Sequence, residues 1–335
     1  MILSASVAEA LFFLISPTMR FLALVLLLAV GCVSTPKSQD PATENVDTAE
    51  VANSTALRRL ELPYSSLKAI KSSEQLDDYI ARYWDKFDFA AGERIVEWDR
   101  DDLCAAFAQY VLIIPRSEAD SLLRTLIRRT EQCREVVMLF ADIAHDVLYD
   151  PNAPTRNDEY YISVLETLLE SKHIDEYDRI IPQRELDIVR QNRLGELAND
   201  FTLTLASGTQ LTLHSLRAEY TILLFNNPGC EMCRQIIDQI ETSRIIGSLR
   251  KSHDIKVVAL YPDEDLTAWR AYLSTMPDGW ICAYDKDLTL TTERLYDLKA
   301  IPSLYLLDSD KRVIIKDGSS VEQLEKALYT LTQQH

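Results

Sequence analysis

At 335 residues, 47% of them hydrophobic and 26% charged, the chain has enough apolar material for a substantial core and divides more naturally into two domains than one. Asp and Glu outnumber Lys and Arg by 52 to 35, a net charge of -17, so the average surface repels polyanions and no nucleic acid partner is expected. Six cysteines are too few for a disulfide-stapled miniature fold, and five histidines scattered without ligand spacing argue against a His-built metal site.

The first element in chain order is the apolar run at 21–31, preceded by Met19-Arg20 and followed by Cys32. A membrane-spanning helix needs roughly 20 apolar residues, so this shorter run with a cation just upstream reads as an export signal over residues 1–32. Residues 2–18 hold Glu9 and no Lys or Arg, which places the expected start of synthesis at Met19. Leu28-Ala29-Val30-Gly31-Cys32 resembles a bacterial lipobox, with Ala29 where Leu is usual. The resemblance implies acylation of Cys32 and a lipid anchor on the periplasmic side of a bacterial membrane. An ordinary cleaved signal, or an uncleaved anchor joining 7–16 to 21–31, is the alternative, and each puts the folded part where disulfides persist.

Residues 33–56 are polar and short of large apolar side chains, a flexible tether. Residues 57–190 read as an all-α domain, because no glycine occurs between Gly92 and Gly195 and apolar residues recur at helical spacing. Leu76, Tyr79, Ile80, Tyr83, Trp84 and Phe87 fall on one face of the first helix, with Ser72 and Gln75 as its capping box. Further helices are expected at 102–111, 117–130, 135–148, 159–170 and 176–190, with Pro115, Pro151 and Pro154 between them. After a boundary at 191–197 the texture changes. The pattern over 195–335 alternates at 201–205 and 210–213 around Ser207-Gly208, then runs continuously apolar at 220–225, 255–261, 303–307 and 313–315. Helical patterns at 231–250, 265–273 and 321–331 interleave with these strands, which is α/β order.

The chemistry concentrates in Cys230-Glu231-Met232-Cys233, where the first buried strand turns into a helix. A helix N-terminus stabilises a thiolate at Cys230, and the thiolate is the nucleophile of disulfide exchange. Cys233, one turn inward, is shielded and poised to resolve a mixed disulfide. Ile301-Pro302 stands at the entrance of another buried strand, a place that fits a turn proline with a cis bond.

These two elements together resemble the thioredoxin superfamily, and the hairpin before them and the long gap between them resemble its exported TlpA/ResA-like branch. The resemblance covers about 195–332 and implies an α/β thioredoxin-like fold. It assigns Cys230 as attacking thiol, Cys233 as resolving thiol, Pro302 as the cis-proline and Ile301 as its substrate-pairing neighbour. It further implies protein disulfides as substrates, no organic cofactor, and a membrane thiol-reductant protein as electron donor. Tyr149-Asp-Pro-Asn152 and Arg156-Asn-Asp-Glu-Tyr-Tyr161 are similar to a helical domain of unknown function that precedes TlpA-like modules in some bacterial lipoproteins; this adds architecture but no chemistry. The chain departs from the family in having Asn227-Pro228-Gly229 before the motif, Glu231-Met232 within it, and no carboxylate in 220–226. Glu231 is expected to oppose the helix dipole at Cys230 and lean the couple toward reduction. Asp263 and Glu264 are expected either to carry protons or to cap the following helix.

Other readings compete. A Cys-x-x-Cys pair serves as half a zinc site, but no second pair exists, so no metal is expected. A peroxiredoxin would want Thr where Asn227 stands. A non-catalytic adaptor would use the helical domain to bind a partner and the disulfide only for structure or sensing. Cys104 and Cys133 read as buried thiols with a bridge between them as the alternative, and Cys282, Trp84, Trp98 and Trp269 as core.

Overall fold

A computed structural model of the chain describes residues 57–62, 70–252, 254–318 and 320–333. The expected signal at 1–32 with Cys32, and the tether at 33–56, lie outside the described residues.

Helices come first, as the spacing of apolar residues dictates: α1 (Ser73–Arg82), α2 (Arg100–Ile113), α3 (Ala119–Arg129), α4 (Arg134–Leu148), α5 (Asp158–Leu169) and α6 (Glu176–Val189). Short polar side chains start several of them by accepting otherwise orphaned N–H groups: Asp99 for α2, Asn157 for α5, Asp175 for α6. At α1 the expected box is displaced. Ser72 accepts from the Gln75 N–H, but Gln75 Oε1 accepts from Lys71 N–H, one residue before the cap. The helix also stops at Arg82, so Tyr83, Trp84 and Phe87 are buried in the turn beyond it. There Trp84 meets Phe140 edge-on at 5.3 Å, and Phe87 meets Trp98 at 4.7 Å, an aromatic centre for the helical core.

From Thr202 onward the chain forms β1 (Thr202–Leu205), β2 (Gln210–Thr212), β3 (Tyr220–Phe225), α7 (Glu231–Thr242), α8 (Arg244–Lys251), β4 (Ile255–Tyr261), α9 (Leu266–Tyr272), β5 (Ile281–Tyr284), α10 (Thr289–Thr292), β6 (Ser303–Leu307), β7 (Val313–Gly318) and α11 (Val321–Thr332). The strands make one sheet of seven in the order β2-β1-β5-β4-β3-β6-β7. β3 runs parallel to β4 and antiparallel to β6, with Phe225 opposite Ser303. β3 is buried along its whole length because both faces of the sheet are covered. Ile222 and Leu224 join one core with Ile236, Ile240 and Leu324, whereas Leu223 and Phe225 join the other with Tyr296 and Tyr305. The expected helix at 231–250 is broken at Ser243, whose Oγ accepts from Ile246 N–H to start α8.

The boundary at 191–197 is tied to the sheet. Gly195 N–H donates to Val313 O and Ala198 N–H to Lys311 O, while Val313 N–H donates to Glu196 O. Helices and sheet both belong to the unit Arg59–His335. Among the described residues no helix is long and apolar enough to cross a membrane.

Candidate active site

The first parallel strand ends at Phe225, and the chain needs only five residues, 226–230, to turn into α7. Gly229 makes that turn at φ 75°, where a side chain would be strained, and Cys230 N–H closes it on Asn227 O at 3.3 Å. Cys230 is thereby the N-cap of α7: its Sγ accepts from the Cys233 N–H at 3.1 Å. A sulfur in this position meets a free backbone donor and the positive end of the helix, the two features that favour a thiolate. Cys230 and Cys233 are joined as a disulfide with Cα atoms 5.2 Å apart. Cys230 is half-buried and Cys233 fully buried, so only one sulfur of the pair is open to solvent.

The Ile301-Pro302 peptide is cis, and Ile301 O lies 4.0 Å from Cys230 Sγ. Hence the four residues singled out by the sequence, Cys230, Cys233, Ile301 and Pro302, converge at one place although about 70 residues separate the pairs in the chain. Exposed Met232 and half-buried Ile301 supply apolar surface beside the sulfur.

Neighbouring charges have partners of their own. Glu231 does not act alone on the sulfur, because Arg234 Nη2 donates to its Oε1 at 2.5 Å and that hydrogen bond holds the Glu231 carboxyl below its ordinary range. Asp263 Oδ2 accepts from Asn227 Nδ2 at 2.7 Å, which braces the turn before the motif, and the cap of α9 is Asp265. Neither Asp263 nor Glu264 takes the capping role considered for them. Behind the proline, Ser303 Oγ donates to Asp317 Oδ1 at 2.7 Å, and Arg156 Nη1 lies 3.1 Å from Asp317 Oδ2. Burial pushes the Asp317 carboxyl up, against the pull of Arg156. The sequence does not single out this trio, since an Asp in a strand and an Arg in a loop look like solvated surface; only Ser303 adjoins Pro302 in the chain.

The remaining cysteines stand apart. Cys104 and Cys133 are free thiols and not bridged, and burial raises the Cys104 thiol. Cys282 sits in β5, half-buried, its thiol pushed up to about 11 by burial, which disfavours the reactive anion. Among the described residues no cluster of His, Cys, Asp and Glu could hold a metal ion.

A family model described as a domain of unknown function, DUF5106, matches residues 31–192, and one described as thioredoxin-like matches 218–313. The crystal structure of a thioredoxin-like protein from Bacteroides caccae is 35% identical with a TM-score of 0.75, covering 82% of this chain and 99% of that one. The C-terminal domain of an uncharacterized Bacteroides fragilis protein is 42% identical over 41% of this chain and 98% of its own, TM-score 0.40. A domain of a possible thiol-disulfide isomerase from Cytophaga hutchinsonii is 23% identical over 43% of this chain and 97% of its own, TM-score 0.37. No curated protein matches the chain. With the Bacteroides caccae protein alike along nearly its whole length, the chain belongs to the thioredoxin-like family in which a DUF5106 helical domain precedes the thioredoxin-like domain.

Proposed function

We propose that the protein is an exported thiol-disulfide oxidoreductase that reduces protein disulfides, held by a lipid on Cys32 at the periplasmic side of a bacterial membrane. The observation that carries the chemistry is Cys230 Sγ at the N-cap of α7, accepting the Cys233 N–H at 3.1 Å with Cys233 buried behind it. In the reduced protein the Cys230 thiolate attacks one sulfur of a substrate disulfide and expels the other as a thiolate, forming a mixed disulfide. Cys233, having given up its proton, attacks Cys230 Sγ and releases the second substrate thiolate. The pair loses two electrons, the substrate gains them, and Cys230–Cys233 closes. A membrane thiol-reductant protein, the donor that the family resemblance implies, then returns two electrons and reopens the Cys230–Cys233 bond.

Insulin reduction by wild type and by Cys230→Ser tests this: wild type turns over and the variant does not. Cys233→Ala should accumulate mixed disulfides at Cys230 and so capture its substrates. Equal activity in wild type and Cys230→Ser would favour the adaptor reading, in which the helical domain binds a partner. That second reading draws on exposed Tyr177, Ile180 and Ile181, three apolar side chains on one face of α6. A reduction potential as high as that of a dedicated disulfide oxidant would reverse the proposed direction.

A further inference from the structure

Residues 149–158 of the helical domain reach the segment 299–303 at both of its ends, directly at Lys299 and through Asp317 at Ser303. Upstream of Pro302, Lys299 Nζ lies 3.8 Å from the centre of the Tyr149 ring, 2.8 Å from Asp297 Oδ2 and 4.0 Å from Asp158 Oδ1. Downstream, Ser303 Oγ is held by Asp317, and Asp317 is held by Arg156, which also donates Nη2–H to the Asp317 backbone carbonyl. Ser303 is wholly buried and Asp317 nearly so. A buried carboxylate needs a cation and donors for both oxygens, and here Oδ1 has Ser303 and Oδ2 has Arg156. Without Arg156 the carboxyl must turn, take up a proton or draw in water, and each response changes what Ser303 is bonded to.

We propose that Arg156 is a positioning residue for the redox site: through Asp317 and Ser303 it fixes the Ile301-Pro302 bend, and so the Ile301 carbonyl, against Cys230. This deepens the oxidoreductase reading and rests on it. The helical domain is then a working part of the site. Its hold can be sensed at the sulfur because a carbonyl oxygen facing Cys230 favours the protonated thiol over the thiolate.

The test uses the full chain, reduced, with iodoacetamide alkylation of Cys230 followed near neutral pH and resolved from the other thiols by mass spectrometry. Arg156→Ala and Ser303→Ala should each speed alkylation about fivefold, the factor that corresponds to one hydrogen bond of ordinary net strength. Their double variant should be no faster than either alone, since both cut one chain of contacts. Arg156→Lys should recover part of the wild-type rate. Arg134→Ala, which breaks an exposed pair with Asp178 inside the helical domain, should leave the rate unchanged. Should Arg156→Ala fail to fold, Ser303→Ala and Arg156→Lys still decide the matter. A lowered thermal midpoint with an unmoved alkylation rate would mean a merely structural contact and overturn the proposal; additive effects would also overturn it. A wild-type Cys230 inert to both iodoacetamide and insulin would overturn the oxidoreductase reading itself, whereas an active wild type with unmoved variants removes only the coupling.

Discussion

Replacing Lys316 with Met measures how tightly the helical and thioredoxin-like domains are joined. Lys316 Nζ lies 2.7 Å from Asp158 Oδ2 and donates to Val189 O at 2.7 Å, with side-chain exposures of 7% for Lys316 and 16% for Asp158. Methionine keeps most of the apolar stem and removes the ammonium, which strips Asp158 and the carbonyl of a donor. Breaking a fully buried pair costs roughly 3–5 kcal/mol and an exposed one less than about 1 kcal/mol. The low exposures put this pair near the first limit, and Lys299 at 4.0 Å from Asp158 still offsets part of the charge, so a loss of about 2–3 kcal/mol is expected. For a folded unit of this size that lowers the thermal midpoint by roughly 3–6 °C. Calorimetry reads the midpoint, and Asp158→Asn added to Lys316→Met should restore part of it by removing the stranded charge. A midpoint within about 1 °C of wild type would show the pair to be solvated surface and refute the estimate.

Two further outcomes follow from the charged pairs Glu231–Arg234 and His145–Glu185. Glu231→Gln should quicken alkylation of reduced Cys230 near neutral pH and Arg234→Ala should slow it, each about twofold, because the two charges sit in the same turn as the sulfur and act on its thiolate with opposite sign; changes of the same sign would count against the helix-terminus account. His145 Nδ1 lies 3.1 Å from Glu185 Oε1, and that hydrogen bond raises the His145 pKa. A raised folded value means stability that is complete below the unfolded pKa of about 6.5 and is lost as pH climbs through the folded one, so urea stability should fall with pH in that window and His145→Gln should flatten the slope; an unchanged slope would contradict it.

Sequence pattern located β3, β4 and β6 to the residue, because strands covered on both faces write themselves as unbroken apolar runs. Apart from α1, which stops at Arg82 although Phe87 was expected on its face, helix ends in the first half agree within two residues, since Pro and capping side chains mark them. The break at Ser243 was not legible: a lone Ser without Gly or Pro is common inside helices, and what stops this one is its own bond to Ile246 N–H together with Glu325 from a distant helix. β7 runs to Gly318 rather than ending near Ile315 because Lys316 and Asp317, polar in sequence, are neutralised by Asp158 and Arg156. The same partners explain the unequal legibility of the site. Cys230, Cys233 and Pro302 announce themselves by type and spacing, while Arg156 and Asp317 acquire meaning only when the two domains meet. The partner of Glu231 was equally hidden, since Arg234 pairs with it at i+3 only once the helix is formed.

β7 is the last strand of its sheet, and its outer rim would ordinarily offer unsatisfied amide and carbonyl groups to any passing extended peptide. Residues 195–198 pair with the start of that rim, and the Arg156 side chain donates to the Asp317 carbonyl further along it. A fragment cut after Ala198 would therefore bare a sticky margin, and self-association through added strands is the hazard that the intact polypeptide avoids by carrying its own cover.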